Sequence, residues 1–170
     1  MILPDIEQTC TELGERLATY LEQNNLEQPL LVGIRTGGVW VADRLQQKLQ
    51  TEDGVASLDI SFYRDDFTRH GLHPQVMGSE LPDSIEDRHI VLIDDVIMSG
   101  RTIRAAMNEL FDFGRPASIR LAVLFDIGHR QLPIRADICG ETLALPPHQR
   151  VELAGPAPLT AEIRDIRPEE

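Results

Sequence analysis

Three near-continuous apolar runs constrain this chain more than any other feature: "LLVGI" at 30–34, "HIVLI" at 89–93 and "SIRLAVLF" at 118–125. They lack the alternation of a half-exposed strand, which predicts strands covered on both faces. Between them, apolar residues recur at steps of three and four. Ile6, Cys10, Leu13, Leu17 and Leu21 predict a first helix, with Asp5 as its N-cap and the polar "EQNNLEQ" ending it. Val39, Ala42, Leu45 and Leu49 mark a second helix. Ile103, Ala106, Met107, Leu110 and Phe113 mark a third, starting at Thr102 and stopped by Gly114 with Pro116 beyond. Strand and helix alternate, so the expected fold class is α/β: a central, mostly parallel sheet flanked by helices. Ligands of such sheets gather at the carboxyl ends of the strands. That rule brings "RTGG", "DDVIMSGRT" and "DIGHRQLP" to one edge.

The remaining segments are shorter or less regular. "LDISFY" alternates, which predicts a strand with Leu58, Ile60 and Phe62 on one face. Residues 64–88 are polar and broken by glycine and proline, and so long a loop in a compact fold is usually functional. "ADICG" and Val151 to Leu153 predict two further short strands, and the rest of the chain after Pro146 is a polar, proline-rich tail.

Composition narrows the class. With 42% apolar and 26% charged residues, the 170-residue chain matches a soluble globular domain, and no run approaches the roughly 18 apolar residues of a membrane span. "MILPDIEQTC" carries acids where a signal peptide needs a basic start, and Cys10 and Cys139 stand at neither metal-ligand nor redox spacing. A cytoplasmic protein with reduced thiols is expected. The net charge of −12, from 16 basic against 28 acidic residues, opposes nonspecific nucleic-acid binding. Only Lys48 is a lysine; the other basic residues are arginines, the side chain suited to planar recognition of phosphate.

"VLIDDVIMSGRT", 91–102, carries the chemistry. Asp94 and Asp95 follow an apolar run, and at a strand end both carboxylates can reach over the sheet edge. They could accept hydrogen bonds from vicinal hydroxyls or recruit a hard cation; alone, a pair of acids is more often a solvated strand end. Ser99, Gly100, Arg101 and Thr102 then precede a helix whose first N–H groups favour an anion. One short loop could therefore hold both ends of a ribose 5-phosphate.

This stretch resembles the phosphoribosyl pyrophosphate motif of type I phosphoribosyltransferases. "GIRTGG", "LDISFYRDDF", "ELPD", "SGRTIRAAMNELFDFGRPASIRLAVL" and "LPIRAD" extend the likeness over residues 28 to 145, specifically to the PyrR family of pyrimidine-operon attenuation regulators with uracil phosphoribosyltransferase activity. The resemblance implies one phosphoribosyltransferase domain over 1–170, with an N-terminal helix at 1–25, a flexible loop at 64–88, a hood over the base at 126–153 and a C-terminal tail at 154–170. It implies that Asp94 and Asp95 hold the ribose hydroxyls, within a binding stretch that runs through Val96, Ile97 and Met98 to the 5′-phosphate loop, Ser99 to Thr102. Arg35, Thr36, Gly37 and Gly38 would form the pyrophosphate loop, joined on loop closure by Arg64 and Arg69, with Asp65 and Asp66 shaping the closing loop or touching metal-bound water. Asp126, Ile127 and Gly128 would meet the base, and His129 and Arg130 the nucleotide or a transcript. The chain departs from well-known members at Gly37 and Ile127, where they carry arginine, and at Gln131, where they carry glutamate.

The implied reaction joins uracil to phosphoribosyl pyrophosphate with Mg²⁺, giving UMP and pyrophosphate; Asp94, Asp95 and Arg64 are its catalytic candidates. Mg²⁺ would come with the substrate, with Asp94 and Asp95 as the only protein ligands in view. His70 and His73 lack a third ligand for zinc. UMP or UTP would be sensed in the same pocket, with pyrimidine leader mRNA as a further partner and a homodimer or homotetramer as the assembly. Trp40, Phe111 and Phe113 suit either an interface or the core. A nucleotide sensor without an RNA role and a purine phosphoribosyltransferase are the alternatives.

Overall fold

The computed structural model describes residues 1–61 and 78–166. Phe62, Arg64, Asp65, Asp66, Arg69, His70 and His73 lie outside the described residues. The elements are α1 (Ile6–Gln23), β1 (Leu30–Ile34), α2 (Gly37–Leu49), β2 (Val55–Leu58), β3 (His89–Ile97), α3 (Arg101–Phe113), β4 (Ser118–Asp126), β5 (Ile138–Thr142), β6 (Gln149–Ala154) and β7 (Thr160–Asp165).

Strands β2-β1-β3-β4-β5 form one sheet with every pairing parallel. The apolar runs need cover on both faces because side-chain parity splits them between two cores. Leu31, Val91, Ile93, Ala122 and Leu124 pack with Leu13, Leu17, Val41 and Leu45 of α1 and α2. Leu30, Val32, Ile90, Leu92, Leu121 and Val123 pack with Ile103, Ala106 and Leu110 of α3. Asp5 caps α1 as expected, its Oδ1 accepting the Gln8 N–H at 2.8 Å. Leu17 is fully buried beneath α1, so Leu17→Ala should cost about 2–5 kcal/mol in urea denaturation.

Four expectations need correction. The alternating "LDISFY" does not extend a strand: β2 ends at Leu58, and the Asp59 carboxylate accepts the Ser61 N–H at 2.9 Å and its hydroxyl at 2.5 Å. This local turn competes with the ladder. β3 does not stop at residue 93 but runs to Ile97. The supposed 126–153 hood contains β5, which is the fifth strand of the central sheet.

The fourth correction concerns the tail, where β7 pairs antiparallel with β6. Val151, Leu153, Ala161 and Ile163 of this ribbon pack on the α1–α2 core beside the half-buried Trp40. The turn between them carries the Gly155–Pro156 and Ala157–Pro158 cis bonds. Arg44 clasps it, donating at 2.5 Å to the Pro156 carbonyl and at 3.0 Å to Glu7. Trp40 is therefore a core residue, whereas Phe111 and Phe113 are 59% and 49% exposed. Phe113 leaves the expected apolar stripe because α3 ends there, and Ile85, buried in the same core, packs beneath the following Gly114.

Candidate active site

β1 last pairs with β3 at Gly33 and Ile93, whereas β4 continues alongside to Ile97. Asp94 and Asp95 thus sit within a strand that has lost one neighbour, a geometry that opens the sheet beside them. Asp94 is 5% exposed. Its Oδ1 accepts the Asp95 N–H at 2.9 Å, and Asp95 Oδ1 accepts the Val96 N–H at 2.8 Å. These bonds orient each carboxylate with one oxygen. Asp95 Oδ2 occupies the space where a Cβ on Gly37 would stand, so the acidic pair and the 35–38 loop share one surface.

That loop follows β1. Its register is held by the Arg35 N–H, which donates to the Leu58 carbonyl at 2.9 Å, and the Arg35–Thr36 peptide is cis. α2 begins at Gly37, presenting first-turn N–H groups at this edge. Glycine at 38 is needed for packing: a Cβ there would lie 2.5 Å from the Ile93 carbonyl oxygen. Arg35 Nη2 pairs with Glu80 at 3.3 Å, while its buried Nε has no hydrogen-bond partner among the described residues. A buried donor of this kind calls for an acceptor, and a phosphate oxygen is a suitable one.

On the other side, Gly100 takes φ +91°, a left-handed conformation that favours glycine, and α3 starts at Arg101. Ser99 Oγ accepts the Arg101 N–H at 3.1 Å. Ser99 and Gly100 thus form the hinge, and Arg101 and Thr102, expected ahead of the helix, are already in its first turn. Of the residues between the acidic pair and Ser99, Ile97 is buried at 1% exposure, while Val96 and Met98 are partly buried and pack against the α1–α2 core.

The loop after β4 is laced to this Ser99–Thr102 segment. Ile127 N–H donates to the Ile97 carbonyl at 3.1 Å, and the Gln131 and Leu132 N–H groups donate to the Ser99 carbonyl at 2.9 and 3.2 Å. Arg101 Nε donates to Gln131 Oε1 at 2.7 Å, a contact that no sequence period signals. A cavity of about 900 Å³ lies between residues 126–135 and 142–145. It is lined by Asp126, Ile127 and Gly128 but not by the acidic pair or the Ser99–Thr102 segment, so the 126–135 loop borders both. Ile127 is 2% exposed and its side chain belongs to the core, so what this residue offers the cavity is chiefly its backbone.

His129 and Arg130, expected to contact a nucleotide or transcript, also make internal hydrogen bonds, although the His129 residue itself is exposed. His129 Nε2 lies 2.7 Å from the Leu145 carbonyl. Arg130 grips both oxygens of Asp126, at 3.1 and 2.5 Å, together with the Ile134 and Met98 carbonyls. Burial alone would raise the Asp126 pKa, but bonds from Arg130 and the Gly128 N–H, with the Arg130 and Arg135 charges, hold it below the ordinary 3.8. A depressed carboxylate pKa contributes stability present above the ordinary value and lost as pH falls through the folded one. Melting temperature should therefore fall below about pH 4, and Asp126→Asn should flatten that part of the profile.

Among the described residues no cluster of three or more His, Cys, Asp or Glu could hold a metal, and no helix is long and apolar enough to cross a membrane. Cys10 and Cys139 are free thiols. Burial, aided by Glu7, pushes the Cys10 thiol up to about 11.

Comparison with known proteins places this geometry. Residues 3–143 match the family described as "Phosphoribosyl transferase domain". The chain is 53% identical over 166 residues to the Bifunctional protein PyrR of Pseudomonas fluorescens, covering 98% of this chain and 99% of that one. It is 52% identical over 168 residues to the Bifunctional protein PyrR of Pseudomonas entomophila, covering 99% and 98%. Among solved structures, a hypoxanthine phosphoribosyltransferase from Staphylococcus aureus superposes with TM-score 0.63 at 23% identity, covering 85% and 77%. A hypoxanthine-guanine phosphoribosyltransferase from Bacillus anthracis gives 0.65 at 17%, covering 85% and 86%. The structural likeness establishes the type I phosphoribosyltransferase fold, and identity at this level over nearly the whole chain establishes more: the chain belongs to the PyrR family of phosphoribosyltransferases.

Proposed function

We propose that the chain is a uracil phosphoribosyltransferase that also senses uridine nucleotides to regulate pyrimidine biosynthetic genes through their leader mRNA. The observation that carries the enzymatic reading is the meeting of Asp95, the 35–38 loop and the Ser99–Thr102 loop at the carboxyl edge of β3. Phosphoribosyl pyrophosphate has three matching parts: ribose hydroxyls, pyrophosphate and 5′-phosphate.

In this reading the uracil ring nitrogen N1 attacks C1′ while the C1′–O bond to pyrophosphate breaks and the N1 proton is lost. Asp94 and Asp95 accept hydrogen bonds from the 2′- and 3′-hydroxyls, and their negative charge faces a ribose that becomes cationic in character. The α3 start and Gly100 receive the 5′-phosphate. Arg35 and the first N–H groups of α2 receive the leaving pyrophosphate; Arg64, outside the described residues, would join them. Backbone groups at Asp126, Ile127 and Gly128 meet the base. Asp94 and Asp95 are the carboxylates beside the site that would hold Mg²⁺ together with substrate and water, and such an ion would supply charge neutralisation for the phosphates.

The test is conversion of radiolabelled uracil and phosphoribosyl pyrophosphate to UMP with Mg²⁺, with hypoxanthine and orotate as competing bases. UMP from uracil alone is expected; a purine nucleotide instead would move the protein to the purine enzymes whose fold it shares. The regulatory role predicts a gel shift with a pyrimidine-operon leader RNA that tightens with UMP and weakens steeply with salt. A cytoplasmic homodimer or homotetramer completes the reading, with Phe111 and Phe113 of α3 as exposed apolar surface for contact.

A further inference from the structure

Arg130 draws together three segments that sequence separates. Four of its N–H donors are used: two on the Asp126 carboxylate at the end of β4, one on the Ile134 carbonyl at the far end of the loop, and one on the Met98 carbonyl. Met98 is the residue immediately before the phosphate loop. The guanidinium is planar and always charged, so this fork sets the direction of each bond as well as its length. The pair with Asp126 is largely shielded, with side chains 25% and 21% exposed.

Independent contacts close the same seam. Besides the backbone bonds to Ile97 and Ser99, a Cβ on Gly100 would lie only 3.4 and 3.5 Å from the Cβ atoms of Ile134 and Leu132. The base loop and the phosphate loop are therefore bonded to one another along this seam; Arg101 bridges them through Gln131, and Arg130 ties the base loop's two ends to the residue that enters the phosphate loop. We propose that Arg130 is a positioning residue that locks the base loop to the phosphate loop, fixing the distance between the two ends of a bound nucleoside monophosphate.

The consequence concerns linkage. A ligand that engages both loops gains from having its second contact made within the same complex, and that gain depends on the two subsites being held at the right span. A ligand that engages one loop gains nothing from the lock. Removing the lock should weaken UMP while sparing ribose 5-phosphate, a pattern that general loss of stability does not produce.

The inference rests on the proposed reading of the site as a uridylate site, and the experiment separates the two. Dissociation constants for UMP and ribose 5-phosphate are measured by calorimetry on the full chain, well below its melting temperature, for the unaltered protein, Arg130→Gln, Arg130→Lys and Asp126→Asn. Asp126→Asn loosens the lock from the acceptor side and serves if the Arg130 variants do not fold. The expected result is a tenfold or greater weakening of UMP with less than a twofold change for ribose 5-phosphate in every folded variant. Arg130→Lys should fail to rescue, because one ammonium cannot reach all three segments. UMP affinity unchanged within twofold, or parallel weakening of both ligands, would overturn the inference. If the unaltered chain binds UMP no more tightly than ribose 5-phosphate, the site reading itself fails, and the inference with it.

Discussion

Asp95→Asn is expected to lower kcat/KM for phosphoribosyl pyrophosphate by about 100- to 1,000-fold, the usual loss when one oriented electrostatic contact to a transition state is removed. The substitution is nearly isosteric. The Asn carbonyl oxygen can still accept the Val96 N–H that Asp95 Oδ1 accepts at 2.8 Å, so the local backbone keeps its anchor. What disappears is the negative charge beside the ribose and one strong acceptor for its hydroxyls. Asp95 is half-buried at the sheet edge, and stability should change by less than about 1 kcal/mol. Asp94→Asn should cost similar activity but more stability, because Asp94 is 5% exposed. Steady-state kinetics and thermal melts on both variants check this. Full activity per folded molecule, with melting as the only loss, would make the acidic pair a structural feature of β3.

Gly37→Ala and Gly38→Ala should part company, although they are neighbours in one loop. A Cβ at position 38 meets backbone, 2.5 Å from the Ile93 carbonyl oxygen, and β3 is a central strand that cannot give way cheaply. Gly38→Ala should therefore lose about 1–3 kcal/mol of stability together with activity. A Cβ at position 37 meets the Asp95 carboxylate, which can rotate aside. Gly37→Ala should be close to wild type in denaturation yet lose about 10- to 100-fold in activity, as displaced catalytic groups do. The same contact gives a physical reason for glycine here: a larger residue at position 37 and the present placement of Asp95 exclude one another.

Much of this architecture is legible in the chain, for reasons tied to particular residues. The continuous runs at β1 and β4 need two cores, and α1, α2 and α3 carry stripes at helical spacing. The Asp94–Asp95 pair and the glycine-hinged helix start after it are legible because those residue types in that order are what the proposed phosphoribosyl ligand would demand. The end of β3 is not, because it depends on β1 stopping at Ile34 while β4 continues, a fact of pairing that no single strand encodes. The β6–β7 ribbon hides behind its prolines, although Leu159, Ala161 and Ile163 alternate and could have signalled it. His129 and Arg130 look like ligand contacts in sequence, since charge and polarity are visible there. Their partners Asp126, Ile134, Met98 and Leu145 are fixed only when the loop folds back on itself.

The measurement that bears most directly on the central claim is a crystal structure of the full chain with UMP bound. The expected density places the 2′- and 3′-hydroxyls within hydrogen-bond distance of Asp94 and Asp95. The 5′-phosphate should lie on the N–H groups of Ser99 to Thr102, with the uracil edge on the backbone of Asp126 to Gly128. UMP seated elsewhere, without contact to either acid, would contradict the assignment of this edge as the phosphoribosyl site.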